Sequence, residues 1–537
     1  VLEQPVADSD DTDLTVVSSG AYWTIYRNTV NNEYSLRMFG NVPSSKPSAW
    51  NSYLNRIKHI EIEEATLTGN FVYYFRGTVF PVLESVRIEQ CNLSGVTSFD
   101  SAFYSSKTIK EVIIRDNDYP EAPLLTNTNS MFYTCSNLSK VDVSGLNTSS
   151  VTDMAYVFAD ATSLKELDLS NFDTSSVTTM RGMFANCTSL EELDLSNFDT
   201  SSVTDMSSMF SAIAYNVDLS NFDTSSVTTM SSMFQRAEVK ELDVSSFDTS
   251  SVTDMQGMFG HSTTLEKLDL SNFDTSAAKS LSRMFNNSVN LKSLYLDKFS
   301  GSANFTDMFS GIKSLEYLRI GPQFNYYNGL ENTKWYDEKN WVQFSSLSQL
   351  KTYNQQQSEP TGYRKGAFFS LTMDAMGGEF EDAEEQKVQN KVSGEYWDEI
   401  VPVKEDYYFD GWYLDQNFTN EFDFSLPAAV STTIYAKWIE NYTVIIPASI
   451  SLNETSELKV EGINRRDKNL SVGLNRTATS ISESNELTLA NMADTTVQCL
   501  APLSWDGSET NAEKAILTLA PGSEITEGEA VMVIEAP

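Results

Sequence analysis

One phrase recurs along the middle of this chain and restricts what it can fold into. LDLSNFDTSSVTTMRGMFANCTSLEE begins at Leu167 and returns at Leu193, Val217, Leu242 and Leu268, in steps of 26, 24, 25 and 26 residues. Fainter copies begin at Ile60, Val86, Val112 and Val141 before it and at Leu294 and Leu318 after it, eleven starts in all. Self-similarity at a fixed period of a few tens of residues marks a solenoid. Each unit is too small to bury its own apolar face and must stack on the next. At about 4.8 Å per coil the stack would be on the order of 50 Å long.

Within a unit, Leu167-Asp168-Leu169 with Leu164 three residues earlier reads as LxxLxL, the strand signature of a leucine-rich repeat. Met180, Met183, Phe184 and Cys187 follow at three- and four-residue spacing, which predicts a short helix with one apolar face inward. Between them lies FDTSS, where Asp173, Asp199, Asp223, Asp248 and Asp274 suit a carboxylate that accepts backbone N–H groups in a turn.

The residue between the two strand leucines should point away from the core. It forms a column: Asp142, Asp168, Asp194, Asp218, Asp243 and Asp269, bounded by Arg87 and Ile113 on one side and Tyr295 and Arg319 on the other. At paired-strand spacing each neighbouring pair would repel by roughly 0.9 kcal/mol even in water, an arrangement sheets avoid. Two readings stay open. In one, Lys and Ser neighbours tie each Asp down and duplication copied the residue. In the other, the row is an electrostatic face for cations or for a Lys/Arg-rich protein segment. Calcium wants about six to eight oxygens, more than a straight ladder offers per ion, so cation binding would be weak. Tyr215, Tyr295 and Tyr317 stand in otherwise polar columns and join the candidate contact residues, since exposed tyrosine is a favoured interface residue.

The phrase NFDTSSVTDM…MF..C.SL..LDLS resembles the BspA-type leucine-rich repeats of bacterial surface proteins over about residues 58–320. That resemblance implies an extracellular adhesion or binding scaffold. BspA-like arrays commonly close with a segment resembling WY…G.Y, matched here by Trp335, Tyr336 and Tyr363. Further on, DAMGG, FDGWY and IYAKW are similar to the Listeria–Bacteroides repeat, also called the internalin-type B repeat. This second likeness implies a small β-grasp-like module used as a stalk or spacer on surface proteins.

The expected organisation is therefore an α+β, β-rich chain. An acidic tail and a cap occupy 1–57, with a hairpin formed by Ala21–Arg27 and Glu33–Phe39 about Asn31 and Asn32. A right-handed leucine-rich-repeat solenoid with short helices follows over 58–320, then its C-terminal cap over 321–366. The β-grasp-like module occupies 367–440, with Trp412 and Trp438 in its core, and a β-sandwich of short alternating runs occupies 441–537. The opening TVIIP and closing VMVIE of this last part are candidates for pairing.

A net charge of −37 argues against nucleic acid and anionic membranes and favours a basic or cation-bridged partner. Cys135 and Cys187 hold the same place two coils apart, roughly 10 Å, too far for a disulfide; both read as buried free thiols, and Cys91 and Cys499 have no obvious mates. No apolar run is long enough to span a membrane. The start at Val1 reads as a mature end after leader removal or as an artificial boundary, and no anchor is visible at Pro537.

Catalysis is poorly supplied. His59 and His261 are the two histidines, neither with an evident Ser, Cys or carboxylate partner, and no GxSxG, HExxH, P-loop or CxxC occurs. The expectation is a non-enzymatic cell-surface adhesin without cofactor or metal. Its solenoid face would bind an extracellular protein or glycan, a host matrix protein among them. A stalk or surface-layer protein without a specific ligand is the alternative, and a glycan-processing enzyme comes third.

Overall fold

The computed structural model describes residues 13–301, 303–405 and 407–440, with the strand residues 443–445, 456–461, 468–475, 488–491, 514–521 and 530–534. Contacts divide the chain into two units, 1–366 and 367–537. The acidic tail and Cys499 lie outside the described residues.

The first unit opens with an antiparallel sheet of β1 (Leu14–Ser19), β2 (Trp23–Asn28) and β3 (Tyr34–Pro43). Asn32, at φ 61°, turns the hairpin between β2 and β3. Trp23, Ile25, Leu36 and Trp50 are buried against the first coil, with Trp50 edge-on to Trp23 and Tyr74. β3 then runs parallel to β4 (Ile57–Asn70), and parallel pairing continues through β5 (Ser85–Glu89), β6 (Asn92–Ser98), β7 (Glu111–Arg115) and β8 (Lys140–Asp142). The register aligns Ile60, Val86, Val112 and Val141, as the repeat predicts. A second sheet begins at β9 (Lys267–Asp269) and adds β10 (Ser293–Leu296) and β11 (Tyr317–Ile320), with Leu268, Leu294 and Leu318 in line.

Between β8 and β9 this wall carries no strand pairing: the LDL or LDV segments at 167–169, 193–195, 217–219 and 242–244 are not strands. The lapse coincides with the acid column. Paired strands oppose Glu61 to Arg87, Arg87 to Ile113, Ile113 to Asp142, and Asp269 to Tyr295. Nowhere does a paired strand set Asp beside Asp. Like charges directly opposite weaken pairing, though Glu63 does face Glu89 between β4 and β5; across the unpaired stretch single backbone bonds such as Glu191 to Lys165 still join the coils. The segments that carry Asp168, Asp194, Asp218 and Asp243 are thus not paired strands, where the repeat predicts strands.

The coils are pinned on another wall. Single parallel bridges run without a break through Asn127, Asp153, Thr179, Asp205, Thr229, Asp254, Ser280 and Asn304. Beside them Thr152, Thr178, Thr204, Thr228 and Thr253 each donate a hydroxyl to the preceding coil's backbone carbonyl at 3.1–3.3 Å.

The expected short helices are absent from the described coils. Residues such as Gly182 and Asn186, Ser208 and Ala212, or Ser232 and Arg236 have φ of 57–61°, two per coil and four apart. A left-handed residue ends a right-handed helix. The segment is instead a chain of turns in which alternate amides reach the next coil: Met180 to Asp205, Gly182 to Ser207, Phe184 to Met209 and Asn186 to Ser211. Met180, Met183, Phe184 and Cys187 are fully buried, so the inward face is real while its helical form is not.

The core between the walls is an aromatic stack. Phe75, Phe103, Phe132, Phe158, Phe184, Phe210, Phe234, Phe259, Phe285 and Phe309 lie ring on ring at 5.0–6.1 Å. Polar columns reinforce it. Thr174 donates to the Asp199 carbonyl at 2.9 Å and accepts from its amide at 2.8 Å. Asn197 Nδ2 donates to the carbonyls of Leu169 and Phe172 at 3.1 and 2.9 Å. Cys91, Cys135 and Cys187 are buried free thiols. Cys135 and Cys187 each point at a carbonyl one coil back at 3.1 Å, and burial pushes both up to about 12.

The array closes when β11 meets β14 (Thr361–Lys365) antiparallel, with β12 (Trp335–Asp337), β13 (Val342–Phe344) and α1 (Leu347–Asn354) around it. Asp337, wholly buried, holds this cap. It accepts from the amides of Lys339 and Asn340 at 2.8 and 3.1 Å, from Asn340 Nδ2 at 2.7 Å and from Tyr353 Oη at 2.9 Å.

In the second unit β15 (Phe368–Asp374), β16 (Gln386–Val392), β17 (Tyr407–Tyr413) and β18 (Thr432–Glu440) form one mixed sheet in the order β16-β15-β18-β17. No helix packs on it among the described residues. Trp412 is 2 % exposed, and Trp438 packs partly buried on the same core with its Nε1 donating to the Ala375 carbonyl. Gly378 leaves room for that ring: a Cβ there would sit 2.4 Å from it. Two three-stranded sheets follow. β19 (Thr443–Ile445), β20 (Ser456–Glu461) and β24 (Ala530–Ile534) form one; β21 (Lys468–Asn475), β22 (Thr488–Asn491) and β23 (Lys514–Pro521) form the other. The opening and closing runs share a sheet, each paired to β20 between them.

Candidate binding face

Asp168, Asp194, Asp218, Asp243 and Asp269 are exposed and Asp142 half-buried, all on the outer side of the open wall. Each accepts the amide of the residue two further on, Ser170, Ser196, Ser220, Ser245, Ser271 and Ser144, at 2.9–3.0 Å. These serine bonds hold Asp168, Asp194, Asp218 and Asp243 below the usual carboxylate value near 3.8, against the smaller upward push of neighbouring aspartates on Asp168 and Asp218. The local turn therefore outweighs mutual repulsion in setting the charge. The FDTSS row behaves alike: Asp173 accepts from the amide and hydroxyl of Ser175 at 3.0 and 2.6 Å.

A carboxylate whose value is lower folded than unfolded adds stability above the unfolded value, and that stability is lost as pH falls through the folded one. The thermal midpoint should therefore drop steeply below about pH 4. Asn at 194, 218 and 243 together should flatten that acid limb. Midpoints measured from about pH 6 to pH 2 with an unchanged limb would refute the assignment.

Tyr295 and Tyr317 lie half-buried on the paired wall, rings 5.2 Å apart, with Lys267 Nζ 5.8 Å above the first ring and Arg364 5.1 Å from the second. Tyr215 is not on the face. It is 4 % exposed and belongs to the core. The 24-residue coil lacks two residues here, so Tyr215 takes the inward anchor place that Leu190 holds one coil earlier, and its Oη has no hydrogen-bond partner. Burial pushes its phenol up.

That shortening, with the single residue missing from the next coil, opens a groove of about 1140 Å³. Its sides are Thr188–Glu191 and Ala214–Val217 on one flank and Glu238–Asp243 with Glu266 on the other. Val217 and Leu242 are only partly buried in it, whereas Leu193 and Leu268, at the same repeat position, are 7 % and 0 % exposed. Glu191, Glu238, Glu241, Asp243 and Glu266 face one cation, Lys240, among its lining residues, and Glu266 also pairs with Lys292 at 2.9 Å. The shortened spacing from Phe210 to Val217 and from Phe234 to Leu242 was the visible signal for this groove, since the other 24-residue step, from Leu294 to Leu318, keeps regular spacing after Phe309.

A tyrosine strip, exposed at Tyr73 and Tyr104 and half-buried at Tyr133 and Tyr156, also escaped the repeat pattern. Tyr73, Tyr104, Tyr133 and Tyr156 run side by side at 5.5–6.1 Å, ended by Arg76 over Tyr73 and Arg181 over Tyr156. Gly182, at φ +59°, admits the Tyr156 ring, which a Cβ there would meet at 2.4 Å.

His59 does acquire partners. Its Nδ1 lies 2.8 Å from Ser85 Oγ and its Nε2 3.6 Å from Glu33 Oε2. Parallel pairing of β4 with β5 brings Ser85 beside His59, which sequence spacing did not reveal. Glu33 is bonded to Lys58 at 2.8 Å instead, and none of the described grooves is lined by this trio. It is a cross-strand polar row. No group of three or more His, Cys, Asp or Glu among the described residues is arranged to hold a metal ion, and no described helix is long and apolar enough to cross a membrane.

Stacked coils with an outward acidic wall and a side groove define a repeat solenoid of the kind that presents an extended surface. Residues 75–165, 97–220, 126–244 and 211–318 match the family described as Mycoplasma protein of unknown function, DUF285, and residues 369–437 match the Listeria-Bacteroides repeat domain. The chain carries DUF285 repeats, the BspA-like class, followed by a Listeria–Bacteroides repeat. No curated protein matches it.

Proposed function

We propose that this chain is a cell-surface adhesin, an extracellular scaffold whose solenoid wall binds a protein or glycan of a host or neighbouring cell. The observation that carries the reading is the wall itself. Four consecutive coils leave their outer face unpaired and acidic while the opposite wall and the aromatic core hold them rigidly. A purely structural solenoid gains nothing from a column of like charges on its outer face. The Listeria–Bacteroides repeat, typical of surface proteins, supports placement outside the cell. The scaffold works by binding and not by catalysis.

The test is a screen of the full chain against immobilised matrix proteins and glycans. Saturable binding to at least one, weakened when Asp194, Asp218 and Asp243 are replaced together by Asn, is the expected result. Absence of saturable binding throughout the panel would favour a stalk or surface-layer role without a ligand.

A further inference from the structure

We propose that the groove cut by the two shortened coils is the ligand seat of this scaffold, and that its occupant is an extended polypeptide segment carrying Lys or Arg at alternate positions. The inference rests on the binding-scaffold reading and names the site and partner class within it.

Two linked observations meet there. The coils at 193 and 217 lose two and one residues between the inward phenylalanine and the next strand position, whereas the 24-residue coil at 294 keeps the regular Phe309, Ile312, Leu315 and Leu318 spacing there, so the groove is built by the sequence at one place. Val217 and Leu242 are only partly buried, whereas Leu193 and Leu268 at the same repeat position are buried, and they give the groove an apolar floor. A partly bare apolar floor is a cost that a bound chain relieves.

Charge selects the occupant. Among the described residues, Glu191, Glu238, Glu241 and Asp243 have no ion pair, and Lys240 is the single cation in the lining. These carboxylates do not gather into a metal site. They are spread along the groove, Glu191 on one flank and Glu238, Glu241 and Asp243 on the other, which suits separate cations on a chain better than one ion. In an extended segment alternate side chains share a face, about 6.6 Å apart. Such a segment lays one set of side chains on Val217 and Leu242 and offers the other, Lys or Arg with their aliphatic stems, to the acidic sides.

The probe is a synthetic nine-residue peptide of alternating Lys and Val, titrated into the full chain and followed by fluorescence anisotropy at low and physiological salt, with the Glu–Val counterpart as its charge-reversed control. The Lys–Val peptide should bind and the Glu–Val peptide should not. The exposed changes Glu191→Gln, Glu238→Gln and Glu241→Gln together should weaken binding about tenfold or more. Asp116→Asn with Asp307→Asn, exposed turn residues outside both the acid column and the groove, should leave it unchanged. Inserting Ser-Leu after Ile213, which restores the 26-residue coil and keeps every acid, should abolish binding while circular dichroism stays native. Equal weakening by the two aspartate changes, or binding that survives the insertion, would overturn the proposal by showing diffuse attraction. If the insertion variant still binds the matrix partner found in the screen, the adhesin reading stands and the groove assignment falls.

Discussion

Phe210→Ala is expected to destabilise the solenoid by about 3–5 kcal/mol, the usual range for removing a fully buried phenylalanine. Phe210 has no exposed surface and lies between Phe184 at 5.9 Å and Phe234 at 5.7 Å, with Phe222 at 6.3 Å. The loss exceeds one ring's transfer from water. Coil stability is shared between neighbours, and the open wall provides no strand pairing across these coils to compensate. The bridges at Thr179, Asp205 and Thr229 remain, so the coils stay connected but lose their common core. Urea unfolding followed by circular dichroism should show a lower midpoint and a shallower slope as the two halves uncouple. Lys165→Ala, exposed on the same wall, should change stability by no more than about 0.5 kcal/mol. A Phe210→Ala protein within about 1 kcal/mol of the parent would mean that the stack is not the common core.

Asp337→Ala should cost about as much, roughly 3–5 kcal/mol, for a different reason. No apolar volume of consequence is lost. Two backbone amides, the Asn340 amide group and the Tyr353 hydroxyl lose their acceptor inside the C-terminal cap. Buried donors left unpaired cost about 1–3 kcal/mol each before relaxation. Asp337→Asn keeps one acceptor oxygen for the two amides and should cost roughly half as much. The change should also expose the cap to limited proteolysis near α1 before the coils unfold, because terminal coils depend on their caps. Equal stability of the Ala and Asn proteins would show that the carboxylate is not what holds the cap.

These two sites divide what was legible. Phe210 was readable: MxxMF recurs with the coil, so its burial follows from period alone. Asp337 was not, because its donors come from a turn and a helix that meet only when the cap closes on β11. The helix expected at Met180–Cys187 failed for a definable reason. Spacing of three and four marks an inward face, but a chain of turns with left-handed residues four apart presents the same spacing. Tyr215 was misplaced because a two-residue deletion shifts the inward position, and only packing says where the chain absorbs the loss. Ser85 met His59 through strand register, at a separation of 26 residues that is simply one coil.

By itself the sequence determined the coil, its period, the register of its strands at both ends and the outward column of aspartates, because each follows from a repeated local pattern that stacking must satisfy. Only the tertiary structure decided which wall would pair. The continuous bridges through Thr179 and Asp205 alternate hydroxyl and carboxylate residues between coils, whereas the opposite column would set Asp against Asp. The groove arose in the same way, where two short coils had to stay in step with longer neighbours.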